Sequence, residues 1–343
     1  MSPQVRDTLD GWAFQQLMPW LQQPVDRAAW TRHADALNSQ RDHAFVFDVA
    51  AGAVTVRPKP PGLVRALPDS RRQHLQLRLS AYLQFFQALV ARFCPQLDCG
   101  FVMGLDDGAL DSQRFPSFAF QKPAGSPAIL VPDIDALVHG FYAQGFDDLV
   151  PWEHKLDKAV FAGATTGSAH TVESVQANSD PRLRAGRFFQ GSPLVDFHLP
   201  LICQCLTPEA EAAIRALGFG GEQVPWEAQF RYKFLLSMDG NGATCARVQI
   251  ALKSGSVLLK YDSPCQLYYF AGLQPYRHFL PVARDADVPA ILQLAQQQPH
   301  FMAQVARSGQ QFFADHLNRN AVAYYTARLL RLYASAFRPQ HAS

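Results

Sequence analysis

The sequence predicts an α/β protein of two domains, and three observations carry that reading. A chain of 343 residues exceeds what one hydrophobic core usually holds, since single cores stop growing at roughly 250–300 residues. From Lys158 onward, short apolar runs enter glycine-rich turns and then helical patterns, the order expected of parallel-sheet crossovers. A composition of 48% hydrophobic and 17% charged residues supplies enough apolar surface for the whole chain to fold. No repeat of fixed period is visible, and each half could form a Rossmann-like unit.

In the first half, Ala44 to Val56 alternates so that Phe45, Phe47 and Val49 share one face of a strand. The proline-rich stretch Pro58 to Pro61 breaks the chain. From Ser70 to Phe93, Leu75, Leu79, Leu83, Phe86 and Val90 recur at three- and four-residue intervals, one buried stripe of a long helix. CPQLDCG then leads into a strand at Phe101 to Leu105, which ends in Asp106, Asp107 and Gly108. Two carboxylates thus stand at a strand's carboxyl end, where open α/β sheets place their ligands, and a plain turn has the same composition. After PSFAFQKP, AILVP, Asp133 and Asp135, the change of pattern near PWEHKLDK sets the expected boundary. The domains expected are 1–150 and 151–318, followed by a terminal helix in 319–343 that can cross back to the first domain.

In the second half, AVF enters GATTGS at Gly163 to Ser168. Phe230 to Leu236 is a nearly continuous apolar run, as in a strand covered on both faces. Asp239, Gly240, Asn241 and Gly242 form the turn after it. Glycine there allows positive φ and close approach, so that amides opening the next helix can face an anion. Thr244 is placed to cap or donate, and Arg247 follows within the first turn with a fork of donors that matches phosphate oxygens. Ser256 to Tyr261 returns as a strand. A tight turn followed by a surface arginine has the same spacing, and no GK[ST] follows to make a Walker motif. Helical patterns from about Val288, from about Phe301 and from Asn320 to Phe337 close the chain.

A net charge of +2 offers no basic field for a nucleic-acid backbone. The six cysteines show no CxxC pair and no metal-ligand spacing, only CxC at Cys203 and Cys205, which fits reduced thiols. The first twenty residues lack the apolar core of a secretory signal, and no eighteen-residue apolar run occurs elsewhere. The expectation is a cytoplasmic protein, at most peripheral on the inner face of the plasma membrane.

Read whole, RYKFLLSMDGNGATCARVQIALKSGSVLLKYDSPCQLYYFAGLQPYRHFLPV resembles glycosyltransferase family 90, which includes lipopolysaccharide core glycosyltransferases and Rumi-type protein O-glucosyltransferases. FAGATTGS, the WEHK segment, and more loosely FVMGLDD with PSFAFQKP extend the resemblance over roughly residues 98–335. It implies a GT-B fold of two Rossmann-like domains facing across a cleft, a UDP-sugar donor held mainly by the second domain, inversion at the anomeric carbon, and no metal or other cofactor. Arg247 looks like the family arginine on the donor diphosphate. Asp106 looks like the proposed catalytic base, and an alignment shift of one residue exchanges it with Asp107. The donor site expected from the turns and the resemblance together comprises Gly163, Ala164, Thr165, Thr166, Gly240, Asn241, Gly242, Ala243, Thr244, Arg247, Tyr261, Asp262 and Ser263. The chain departs from the family pattern at Ala162, where FRG is usual, at Cys265, usually tryptophan, and at Leu267, usually glutamate.

Other residues admit two readings. Lys122 suits an anionic acceptor or a solvated lysine, and His278 an acceptor-side role or a core position. Tyr261, Tyr268 and Tyr269 suit stacking on a base or sugar, or a core. Arg319, Arg328, Arg331 and Arg338 among Leu329, Leu330, Leu332 and Phe337 suit an anionic membrane surface or packing within the protein. The leading expectation is a transferase that moves a hexose or pentose from a UDP-sugar to a lipopolysaccharide core or related glycan, with nucleic acid excluded as a partner. The alternatives are protein O-glycosylation and a non-catalytic nucleotide-sugar or glycan-binding relative, the latter motivated by Ala162, Cys265 and Leu267.

Overall fold

A computed structural model describes residues 1–110, 114–243 and 245–337. The chain divides into two compact units, Met1–Ala143 with Cys265–Gly272 and Asp315–Ser343, and Gln144–Pro264 with Leu273–Ala314. The second unit starts before the WEHK segment because Asp147 and Asp148 are held by Lys253 and Lys155.

The first unit opens with helices α1 (Pro3–Gln22) and α2 (Arg27–Gln40), capped by Ser2 and Asp26. Strands β1 (Ala44–Ala50) and β2 (Ala53–Val56) follow as a hairpin. The single strand expected over Ala44 to Val56 is therefore two. Its periodicity continues through a two-residue turn, Ala51 and Gly52, whose φ values of +49° and +77° are those of a hairpin turn that matches strand twist. Then come α3 (Pro61–Arg65), α4 (Asp69–Phe93), β3 (Cys99–Gly104), β4 (Phe118–Ala119), β5 (Lys122–Pro123), β6 (Ile129–Leu130) and α5 (Ile134–Val138). The sheet order is β2-β1-β3-β4-β6. Its β2-β1-β3 half is antiparallel and its β3-β4-β6 half parallel, so this sheet is mixed. On α4 the stripe buries Leu75, Phe86 and Val90, with Tyr82 and Leu89 beside them, against the aromatic core of Phe47, Phe101 and Phe118.

The second unit runs β7 (Leu156–Ala164), α6 (Val172–Gln176), α7 (Pro181–Phe189), β8 (Val195–Leu201), α8 (Pro208–Ala216), α9 (Trp226–Gln229), β9 (Tyr232–Ser237), α10 (Cys245–Lys253) and β10 (Val257–Tyr261). The chain then adds β11 (Cys265–Gln266) to β5 in the first unit. It returns for β12 (Leu280–Val282), α11 (Asp287–Gln297) and α12 (Pro299–His316). All neighbouring strands of the order β12-β10-β9-β7-β8 are parallel. Alternate residues Ala159 and Phe161, Phe234 and Leu236, Val257 and Leu259, Leu280 and Val282 join one core with α7, α11 and α12. The intervening Val160, Leu235 and Leu258 are buried as well, so both faces are covered, as a parallel sheet requires. β8 lies on one side of β7 and the later strands on the other. The order reverses between β7 and β9, and the crevice at such a switch point is where open α/β sheets bind ligands.

The last helix, α13 (Arg319–Ser335), belongs to the first unit. Tyr325, Leu329, Leu330 and Tyr333 are buried there, Arg328 pairs with Asp10, and Arg331 donates to the Phe93 carbonyl. Its apolar face is consumed by internal packing. Arg338 lies outside the described residues. Among the described residues no helix is long and apolar enough to cross a membrane.

Candidate functional site

Two loops meet at the switch point: 163–168 after β7 and 238–242 after β9. Gly167 takes φ +134°, and a Cβ there would sit 3.5 Å from the Gly240 carbonyl oxygen. Gly240 does not have positive φ; what requires glycine is space. A Cβ would fall well inside contact distance of Thr166 Oγ1 and 3.0 Å from Arg182 Nη2. Outside the loops, Gln204 accepts from Gly167 N (3.0 Å) and donates to Asn241 Oδ1 (2.8 Å). Ser263, beyond β10, donates to Asp239 Oδ2, and burial pushes the Asp239 carboxyl above its ordinary range. The loops after four strands are thereby joined.

Beneath them lie two buried guanidiniums. Arg182, 4% exposed at the start of α7, donates to the carbonyls of Asp239 (2.9 Å), Met238 (2.9 Å) and Ala164 (2.7 Å), and to Thr166 Oγ1 (2.8 Å). Arg247, 7% exposed in the first turn of α10, donates to Gln229 Oε1 (3.0 Å) and the Ala162 carbonyl. Both lie over the Phe161 ring, 5.4 and 4.7 Å from its centroid, and Arg247 also lies 4.9 Å from that of Trp226. Among the described residues neither forms an ion pair, their bonded partners being carbonyls, an amide oxygen and a hydroxyl. Burial, followed by repulsion from Arg182, lowers the pKa of Arg247; burial lowers that of Arg182, against the attraction of nearby Asp180 and Asp239. Two positive charges are thus held out of water on neutral hydrogen-bond acceptors, with Asp180 and Asp239 offsetting part of the cost for Arg182.

In the first unit, Asp106 and Asp107 follow β3 directly, and α4 supplies both their partners. Arg71 grips Asp106 with two parallel bonds, Nη1 to Oδ1 (3.1 Å) and Nη2 to Oδ2 (2.8 Å), and reaches Asp42 through Nε (2.8 Å). Arg78 bonds Asp107 Oδ1 (2.8 Å) and the Leu105 carbonyl (2.7 Å). The Arg71 hydrogen bonds hold the Asp106 carboxyl below the usual carboxylate range, outweighing burial.

Residues 114–342 match Glycosyl transferase family 90. The chain belongs to that family. It is 32% identical over 106 residues to protein O-glucosyltransferase 2 of Danio rerio, covering 31% of this chain and 21% of that protein. It is 27% identical over 185 residues to protein O-glucosyltransferase 1 of Rattus norvegicus, covering 54% of this chain and 43% of that protein. A third relative, uncharacterized protein 179R of Invertebrate iridescent virus 6, is 22% identical over 201 residues, 52% of this chain and 17% of its own. The chain thus spans less than half the length of these curated relatives.

As a family 90 member, the chain places its expected site residues unevenly. Gly163, Ala164, Thr166, Gly240, Asn241, Gly242 and Ser263 are brought together around the crevice with Arg247 beneath them. Thr165 turns inward, where its hydroxyl donates to the Cys203 carbonyl and accepts from Cys203 N. Ala243 is buried, and Thr244 lies outside the described residues. Tyr261 is buried with its hydroxyl on Asp285, while Asp262 borders a cavity of about 450 Å³ beside β12. Tyr268 and Tyr269 are core residues of the first unit. Lys122 gives its ammonium to Gln16 and the Ala128 carbonyl, and burial lowers its pKa to about 8. His278 is buried on Phe312 and accepts from Gln274 N. Of the departures from the pattern, Ala162 receives Arg247 through its carbonyl, Cys265 lies on β11, and Leu267 is buried. Among the described residues, no three histidine, cysteine, aspartate or glutamate side chains are grouped to hold a metal ion.

Arg182, Gln204 and Asp180 were not singled out by the sequence reading. Asp-Pro at 180–181 is a legible helix start, and Asp180 does cap α7 by accepting from Arg182 N and Leu183 N. The reach of Arg182 across 57 residues to Asp239 had no local signal.

Proposed function

We propose that this family 90 protein binds a nucleoside-diphosphate sugar at the β7/β9 switch point and transfers the sugar to a hydroxyl. The observation that carries the reading is the pair of buried guanidiniums, Arg182 and Arg247, which form no ion pair among the described residues and lie beneath two glycine-containing loops. When the bond from the anomeric carbon to the diphosphate oxygen breaks, negative charge grows on the leaving group. Fixed positive charge in a dry site stabilises that change most. The acceptor oxygen attacks the opposite face of the anomeric carbon, inverting it, and a carboxylate takes the acceptor proton. Asp107 is the base to test first, because Asp106 is bound through both oxygens by Arg71, which holds its carboxyl below the ordinary range.

The relatives' names support a protein hydroxyl as acceptor over the lipopolysaccharide core expected from sequence. A uridine nucleotide is the donor to try first. The test is release of nucleoside diphosphate from a panel of UDP-sugars, with folded protein domains and with core oligosaccharides as acceptors. Release that depends on a protein acceptor and is lost in Asp107→Asn supports the reading. Release that survives both Asp107→Asn and Arg247→Met contradicts it.

A further inference from the structure

Arg182 spends its guanidinium on two loops. Nε and Nη2 bond the carbonyls of Asp239 and Met238 on the 238–242 side, and Nη1 bonds the Ala164 carbonyl and Thr166 hydroxyl on the 163–168 side. The planar fork fixes the angles among its donors, so bonds to both loops fix the distance between them. The base of the side chain is anchored as well. Arg182 N bonds the capping Asp180, whose other oxygen accepts from Ser168 Oγ (2.8 Å). The loops pack closely at this seam, because Gly240 leaves no room for a Cβ beside Thr166 and Arg182. Gln204 spans the same two loops, but its amide is exposed and exchangeable with water, whereas Arg182 is buried.

We propose that Arg182 is a positioning residue that sets the width of the crevice between the 163–168 and 238–242 loops and thereby the affinity for the donor's diphosphate. The inference rests on the donor-site reading above. It acts through the loop backbone, so its charge alone cannot replace it. A lysine offers a single point of attachment and cannot reach both loops with the same geometry.

The test compares the full chain with Arg182→Lys, which keeps the charge, and Thr166→Val, which removes one tie and keeps the shape. UDP is titrated by calorimetry, steady-state constants are measured, and backbone hydrogen exchange is followed at 163–168 and 238–242. For Arg182→Lys, UDP affinity is expected to fall about 10- to 100-fold, with donor KM rising in parallel. The acceptor KM is expected to stay within about threefold. Thr166→Val is expected to weaken UDP about three- to tenfold, and exchange in both loops speeds up in both variants. Wild-type UDP affinity and unchanged loop exchange in Arg182→Lys overturn the proposal. If Arg182→Lys does not fold, Thr166→Val decides by the same two readouts. If the wild type binds no UDP, the donor-site reading fails separately, and loop exchange alone decides whether Arg182 is the brace.

Discussion

Around Asp106 the charges are shared among four side chains, because Arg71 holds Asp106 and Asp42 at once while His43 bonds Asp42 at 2.9 Å. Burial pushes the Asp42 carboxyl up, but Arg71 and His43 outweigh it and bring the pKa to about 2. Both carboxylates therefore titrate lower in the folded protein than the roughly 3.9 of an unfolded chain. Their contribution to stability is present above that value and is lost as pH falls through the depressed one. Arg71→Gln is expected to lower the urea midpoint at pH 7, with the gap to wild type narrowing below about pH 4 and closing towards pH 2. A gap independent of pH contradicts this. Asp107→Asn is expected to cut turnover about 10²- to 10⁴-fold while UDP affinity measured by calorimetry stays near wild type. The two carboxylates were legible in the sequence as FVMGLDD. Their different partners were not, because Arg71 and Arg78 are brought alongside by a helix from about thirty residues away.

Element boundaries were legible where periodicity and turn chemistry agree, as for α4, β9 and β10. They were lost where a turn keeps the strand's alternation. At β1–β2 the turn residue Ala51 is an L-residue at φ +49°, a conformation in which asparagine is tolerated far better. Ala51→Asn is expected to raise stability by about 0.5 kcal/mol in chemical denaturation, and a loss of stability contradicts the turn assignment. A second device joins the segment ahead of β7 to the sheet. Asp148 and Lys155, with side chains 2% and 0% exposed, pair at 2.6 Å; Lys155 also bonds the Phe230 carbonyl and Asp148 the Gly255 amide. Removing one partner strands a buried charge, so Asp148→Ala is expected to cost about 3–5 kcal/mol in unfolding free energy. The sequence shows WEHK as a motif, but the partner of its lysine lies in the polar stretch upstream, where nothing marks one aspartate over another.

Across the whole molecule, the strand–turn–helix–strand unit from Phe230 to Ser263 was readable because each of its parts is local. The switch point was not, because it requires knowing that β8 lies on the far side of β7. That strand order places 163–168 beside 238–242 and turns two weak glycine motifs into one candidate site over Arg182 and Arg247. A ligand that binds only the folded chain stabilises it, by about 2.7 kcal/mol at one hundred times its dissociation constant. UDP should therefore raise the unfolding midpoint in proportion to its affinity. The most direct measurement is calorimetric titration of UDP into the wild type and into Arg247→Met, with circular dichroism confirming that both are folded. The expected result is one bound nucleotide per wild-type chain and at least tenfold weaker binding in the variant. A folded wild type that takes up no UDP, or a variant that binds it equally well, contradicts a donor site built on the paired guanidiniums.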